Sequence, residues 1–179
     1  MARLTTARTL AVLLVTAALS SSLSAQASRR DGFWFSGGLG GGSLGCKDCG
    51  NRVNGGVADI ALGGTINKHV LLGVGSAGWS REENGVRLTA ATLDARVRVY
   101  PSVSNGFFFT AGLGLGSLKG EFGLFGSETQ TGSSALLGLG YDIAVGKKVS
   151  LTPFVNGIGV KTKESDTNFG QLGLAIVFH

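Results

Sequence analysis

Five charged residues stand at alternate positions within otherwise apolar segments, where a β-strand would turn them away from its apolar face. They are Asp59, Asp94, Arg96, Arg98 and Asp142. Carboxylates and guanidiniums held in a confined space can form bidentate hydrogen-bonded pairs or line a path for ions. The sequence therefore supports either a structural charge network or a gate in a narrow ion path, and both interpretations stay open.

Cys46 and Cys49 are the only cysteines of the chain and lie three positions apart. A redox-active Cys-x-x-Cys motif sits at the start of a helix, but no helical segment follows here. A zinc site needs two further ligands, and the neighbouring sequence supplies neither a histidine nor a second cysteine pair. In an oxidising compartment a loop disulfide is the favoured interpretation; free thiols or a metal shared between copies are the alternatives.

Two other patterns could carry chemistry but lack the partners that it requires. His69 and His179 are the only histidines, and we expect both to be solvated, one in a turn and one as the last residue. Neither lies in a constellation with serine or aspartate that would support general-base catalysis. Gly38–Gly42 resembles a nucleotide-binding glycine run, but no helix follows it. We therefore expect no enzymatic activity, no cofactor and no metal.

The N-terminal segment has the organisation of a secretory signal peptide. Arg3 and Arg8 accompany an apolar core from Leu10 to Ala18, and Ala27 ends a small-residue cleavage site. This core is too short to span a membrane as a helix. The sequence therefore predicts a signal peptide at 1–27 and one exported domain at 28–179.

The exported domain combines abundant glycine with apolar residues. All 31 glycines lie after the signal segment, well above the ~7% of an average protein, yet the chain is too hydrophobic for disorder. Without the two signal arginines the formal net charge falls from +5 to +3, and it is too scattered for a nucleic-acid-binding face. Because no apolar run is long enough for a membrane helix, only a closed β-barrel could cross a bilayer.

The domain divides into segments with the length of transmembrane strands. The eight predicted strands are 33–43, 55–67, 70–80, 86–100, 107–118, 134–145, 149–160 and 168–178. The connections after the second, fourth and sixth strands are short, whereas 44–54, 81–85, 119–133 and 161–167 are mostly longer and more polar. This alternation predicts an all-β fold, an eight-stranded antiparallel transmembrane β-barrel with up-and-down meander order and both termini in the periplasm.

The last predicted strand carries a pattern of its own. Gln171, Gly173, Ile176 and Phe178 occupy the positions of a polar–x–Gly–x–x–hydrophobic–x–aromatic motif. This motif resembles the terminal β-signal that the barrel-insertion machinery reads on the last strand of outer-membrane barrels. His179 departs from the usual terminal phenylalanine.

The signal peptide, the strand count, the stretches Gly138–Asp142 and Leu151–Pro153, and the terminal motif together resemble the OmpA/OmpX-like small outer-membrane β-barrel family (outer membrane protein beta-barrel domain). The resemblance covers 28–179 and implies a location in the outer membrane of a Gram-negative-type cell. It implies a non-enzymatic, structural or surface-interaction role in the cell envelope, with a filled or narrow lumen and external loops that can meet a partner. No peptidoglycan-binding domain is expected. The alternatives are a porin-like channel for small solutes or ions and a soluble periplasmic ligand-binding barrel.

Overall fold

The computed structural model describes residues 30–46, 50–121, 126–163 and 165–179. These residues form nine β-strands: β1 Phe33–Cys46, β2 Val53–Asn67, β3 Val70–Glu83, β4 Val86–Val99, β5 Phe107–Glu121, β6 Ser127–Tyr141, β7 Ile143–Ala144, β8 Val149–Lys161 and β9 Asp166–Phe178. No helix in this part of the chain is long or apolar enough to cross a membrane.

The strands form one closed antiparallel sheet in meander order. Strands that follow one another along the chain are paired, β6 and β7 both pair with β8, and β1 pairs with β9 to close the sheet. Since β7 continues β6 and both pair with β8, the two together count as one strand of an eight-stranded barrel. The predicted fold class is confirmed. Because the sheet is closed, the backbone of every strand is hydrogen-bonded to a neighbour on each side, as a structure that crosses lipid requires.

The break between β6 and β7 has a local cause. Gly140 pairs with Phe154 and Ile143 with Leu151, so the register is the same on both sides of the break. That register puts Pro153, which has no N–H to donate, opposite the end of β6. On the other side of the strand, the N–H of Asp142 is donated to the carbonyl of Gly106 at 2.9 Å and continues the pairing with β5.

Side chains alternate strictly between the two faces of the barrel. The outward face is apolar, and on β5 the outward Leu113 is 72% exposed. The inward face of β4 carries Asp94, Arg96 and Arg98, each no more than 4% exposed. This is the reverse of a soluble globular protein and fits a barrel whose outer face meets hydrocarbon.

The two ends of the barrel differ in how well the sequence predicts them. Both termini of the sheet lie at one end, with the connections 68–69, 100–106 and 145–148. We call this the periplasmic end because outer-membrane barrels carry short turns and termini there. The strand boundaries at this end agree with the prediction within one residue.

At the opposite, outer end, the strands are longer than predicted. The expected loop at 119–133 is wrong, because β5 continues to Glu121 and β6 begins at Ser127. The expected loop at 81–85 shrinks to Asn84 and Gly85, whose φ angles of 52° and 77° belong to a tight hairpin turn. Polar, threonine-rich strand ends pair with their neighbours here without needing an apolar face.

Candidate functional site

The centre of the lumen holds a buried ion cluster, the central trio, formed by Arg96, Asp59 and Asp94. Arg96 Nη1 donates to both carboxylate oxygens of Asp59 at 2.8 Å. Its Nε and Nη2 donate to Asp94 at 2.8 and 3.0 Å, as a bidentate pair. One guanidinium thus bridges β4 to β2 and satisfies two carboxylates at once.

Glycines make the room that the central trio occupies. A Cβ at Gly75 would lie 2.5 Å from Arg96 Cζ, and one at Gly112 would lie 2.6 Å from Asp94 Oδ1. Gly75 and Gly112 are the partners of Asp94 and Arg96 on the strands that flank β4. The ion cluster therefore packs directly onto bare backbone.

Arg98 is the next inward-facing residue of β4 toward the periplasmic end, and its contacts differ from those of Arg96. Its Nη2 donates to Ser36 Oγ at 3.1 Å, and its Cζ lies 4.6 Å from the ring centroid of Trp34 and 4.9 Å from that of Phe108. Among the described residues its Nε and Nη1 have no hydrogen-bond partner. This guanidinium is held by aromatic faces rather than by a bonded carboxylate.

Asp142 anchors a separate group at the periplasmic end. It accepts hydrogen bonds from the hydroxyls of Tyr100 at 2.8 Å and Thr152 at 2.7 Å. His179 Nε2 lies 3.4 Å from its Oδ2. The expectation of a solvated His179 is wrong, because strand alternation carries this residue into the lumen, where it is 8% exposed. The five predicted charges all face the lumen, but the structure divides them among three places.

Arg30 completes the periplasmic end and was not predicted. Its Cζ lies 3.6 Å from the ring centroid of Tyr100, and it donates to the carbonyls of Asn105 at 2.6 Å and Lys68 at 3.4 Å. Burial lowers the pKa of Arg30, and Tyr100 and Asp142 oppose that shift; an arginine remains charged at neutral pH regardless. Arg30 precedes β1, so no strand periodicity could have marked it.

The outer half of the lumen is mostly apolar, although it also holds the buried hydroxyls of Thr92 and Ser134; the sequence did not predict this. A cluster that we call the apolar plug fills it: Val57, Ala77, Trp79, Ala90, Leu136, Ile158, Val160 and Phe169. Beyond the plug, toward the outer end, lies a cavity of about 270 Å³, whose lining includes the apolar Leu44, Leu88 and Leu118 and the polar Lys119, Glu128 and Gln130. Nearer the periplasm, a second cluster, the aromatic layer, consists of Trp34, Ala61, Leu71, Tyr100 and Phe108.

The family model for the outer membrane protein beta-barrel domain matches residues 11–179. The chain belongs to this family. The assignment establishes location in the outer membrane and excludes the alternative of a soluble periplasmic barrel. The outward apolar face therefore meets lipid.

Solved structures of other small outer-membrane barrels have the same fold as this chain. Neisserial surface protein A (NspA) is 17% identical with a TM-score of 0.63, covering 83% of this chain and 97% of its own. Ail of Yersinia pestis is 16% identical with a TM-score of 0.61, covering 82% and 99%. OprG of Pseudomonas aeruginosa is 10% identical with a TM-score of 0.51, covering 84% and 98%. No curated protein matches the sequence. At these identities the likeness establishes the fold alone.

The residues of the terminal motif divide between the two faces of β9 in this outer-membrane barrel. Ile176 and Phe178 face lipid, while Gln171 and Gly173 face the lumen. Gln171 Nε2 donates to the carbonyls of Ala58 at 3.3 Å and Gly78 at 3.0 Å. The polar position of the motif therefore ties the last strand to β2 and β3.

Cys46, the first of the two cysteines, lies at the outer end of the barrel. Cys46 is the last residue of β1, whereas Cys49 lies outside the described residues. The loop disulfide remains a prediction. Among the described residues no group of three or more histidine, cysteine, aspartate or glutamate side chains could hold a metal ion.

Proposed function

We propose that this protein is a non-enzymatic outer-membrane barrel with a closed lumen, which serves the envelope as a structural element and presents its outer hairpins to a surface partner. The observation that supports a closed lumen is that buried side chains fill it at three successive levels. These are the aromatic layer, the central trio and the apolar plug. An eight-stranded barrel leaves room for little more than its own side chains.

The apolar plug argues against the alternative of a small-solute or ion channel. An ion passing Trp79, Leu136 and Ile158 would lose its hydration and gain little beyond the hydroxyl of Ser134, which is strongly unfavourable. A continuous file of water would meet the same difficulty, since buried water needs hydrogen-bonding neighbours. Conduction would therefore require the plug to move.

The outer hairpins are the surface available to a partner. Three of their basic side chains pair with glutamates: Arg81–Glu83 at 2.7 Å, Arg87–Glu82 at 2.6 Å and Lys119–Glu121 at 2.5 Å. Ail is described in complex with the heparin analogue sucrose octasulfate. For this chain such pairing disfavours a polysulfated ligand and favours a partner with mixed charges.

Conductance tests the closed lumen. The mature chain, refolded into planar lipid bilayers and checked by heat-modifiable gel migration, is expected to give no stable current steps. The matched control is a Trp79→Ala, Leu136→Ala variant, which shortens the plug and should conduct intermittently if it folds. Stable steps from the unaltered barrel would establish the channel alternative.

The terminal motif is proposed to act during assembly, when the barrel-insertion machinery reads β9. Phe178→Ala should lower insertion by the purified machinery while leaving unassisted refolding into detergent intact. Phe35→Ala is the matched control, because Phe35 pairs with Phe178 and faces lipid beside it. Equal insertion of both variants would contradict recognition of the motif.

Export completes the proposal. The signal peptide at 1–27 lies outside the described residues, and the exported domain at 28–179 would form the barrel. N-terminal sequencing of the protein from outer membranes should give Ser28 as the first residue. A longer N-terminus would contradict the cleavage site.

A further inference from the structure

Arg98 differs from Arg96, the other guanidinium that faces the lumen from β4, in having no bonded carboxylate. Arg96 uses its donors on Asp59 and Asp94. Arg98 is 4% exposed, and its only hydrogen bond among the described residues is from Nη2 to Ser36. A buried charge without a hydrogen-bonded counter-charge is costly.

Other buried polar groups near Arg98 also lack a hydrogen-bond partner. Arg98 Nε and Nη1 lack partners, and so does the indole Nε1 of Trp34, whose ring the guanidinium covers. Ser36 accepts from Arg98, so its own hydroxyl proton is free to donate. His179, whose Nδ1 is also without a partner, falls opposite Trp34 when the β1–β9 register is continued. Unsatisfied buried polar atoms are rare, and four of the six among the described residues belong to Arg98, Trp34 and His179.

The acidic residues of the lumen balance the charge of Arg98 but accept no hydrogen bond from its Nε or Nη1. Asp142 interacts with Arg98 electrostatically, but it accepts from Tyr100 and Thr152 and has His179 beside it. The carboxylates of Asp59 and Asp94 are occupied by Arg96.

The geometry points to a binding site for one small monovalent anion, such as chloride, beside Arg98 and Trp34. A halide ion accepts several hydrogen bonds and donates none, so it matches a site made of donors. It also brings a negative charge into direct contact with the Arg98 guanidinium, which Asp142 and the excess negative charge of the central trio reach only from a distance. A water molecule would bring two protons that need acceptors of their own.

Chloride titration of unfolding tests this site. The refolded mature barrel is unfolded in urea at constant ionic strength while sodium chloride replaces sodium gluconate. If one ion binds only the folded state, a tenfold rise in chloride above the dissociation constant lowers the unfolding equilibrium constant about tenfold. Arg98→Met should abolish this dependence. Arg87→Met, on the same strand but exposed and paired with Glu82, should keep it.

A second measurement decides the matter should Arg98→Met fail to fold. Crystals of the unaltered barrel grown in bromide should show an anomalous peak beside the Arg98 guanidinium and the Trp34 indole nitrogen. Trp34→Phe, which removes one donor, should weaken the chloride response. Stability independent of chloride, a response that survives Arg98→Met, or bromide crystals without the peak would overturn the proposal.

Discussion

Replacing Arg96 by methionine is the sharpest test of how dry the lumen is. The side chains of the central trio are each no more than 5% exposed, so the substitution leaves two carboxylates buried without a cation. Breaking a buried pair in this way costs about 3–5 kcal/mol, which is roughly a thousandfold in the unfolding equilibrium constant at mid-range. Methionine keeps most of the volume, so little of the loss would come from a cavity.

The assay is equilibrium urea unfolding of the barrel in lipid vesicles, followed by the fluorescence of the buried Trp34 and Trp79. The matched control adds Asp59→Asn and Asp94→Asn to Arg96→Met, which removes the charges together and should recover most of the lost stability. A loss of less than about 1 kcal/mol from Arg96→Met alone would put the trio in the range of solvated surface pairs. That result would refute both the desolvated trio and the closed lumen.

Three further substitutions probe lipid contact, packing and the periplasmic end. Leu113→Arg places a charge on the lipid face at a cost of about 2–4 kcal/mol near mid-membrane, so gel migration should show far less folded barrel than for Thr129→Arg on the polar outer extension; equal yields would contradict the lipid assignment. Gly75→Ala forces a methyl group against the guanidinium of the central trio and should destabilise by about 1–3 kcal/mol in urea, whereas Gly41→Ala, whose Cβ meets no atom within 4 Å, should be tolerated. Tyr100→Phe removes a hydrogen bond to a buried carboxylate and should cost about 1.5–3 kcal/mol in the same assay; an unchanged midpoint would show that the bond adds nothing.

The face of the barrel on which each charged residue lies was predictable, because side chains alternate along a strand and charges cannot face lipid. On β4, Asp94, Arg96 and Arg98 alternate with apolar residues, and charges at these positions cannot face hydrocarbon without a large cost. The same argument covers Asp59 and Asp142. On β3 both faces are apolar, so alternation gave no answer there, and the inward Trp79 of the plug went unrecognised.

Pairing across strands was not predictable, because it depends on the register between strands. Arg96 and Arg98 both face the lumen from β4, and nothing in their spacing tells which one meets Asp59. The register of β2, β3 and β4 brings Asp59 to Arg96 and leaves Arg98 to the aromatic rings. Arg30, outside any strand, gave no periodic signal at all.

His179 was predictable and was missed. Inward positions on β9 are the odd-numbered residues from Thr167 to Val177, and continuing the same alternation by one step places His179 in the lumen. The expectation of a solvated terminus set this regularity aside. A hydrogen bond from the N–H of His179 to the carbonyl of Lys148 at 2.9 Å extends the strand-like pairing to the last residue.

The polar contacts of the lumen also explain how a glycine-rich sheet keeps one register. A slip of one residue would turn every charge toward lipid, so lipid alone forbids it. A slip of two residues keeps the facing and must be opposed by specific contacts. Arg96–Asp59, Arg98–Ser36 and Gln171–Ala58 join residues 37, 62 and 113 positions apart, and each would be lost in a two-residue slip of its strands. Breaking one would leave a buried polar group unsatisfied, at about 1–3 kcal/mol or more. On this reasoning the lumen specifies the closed barrel, and its charges need no transported ion to account for them.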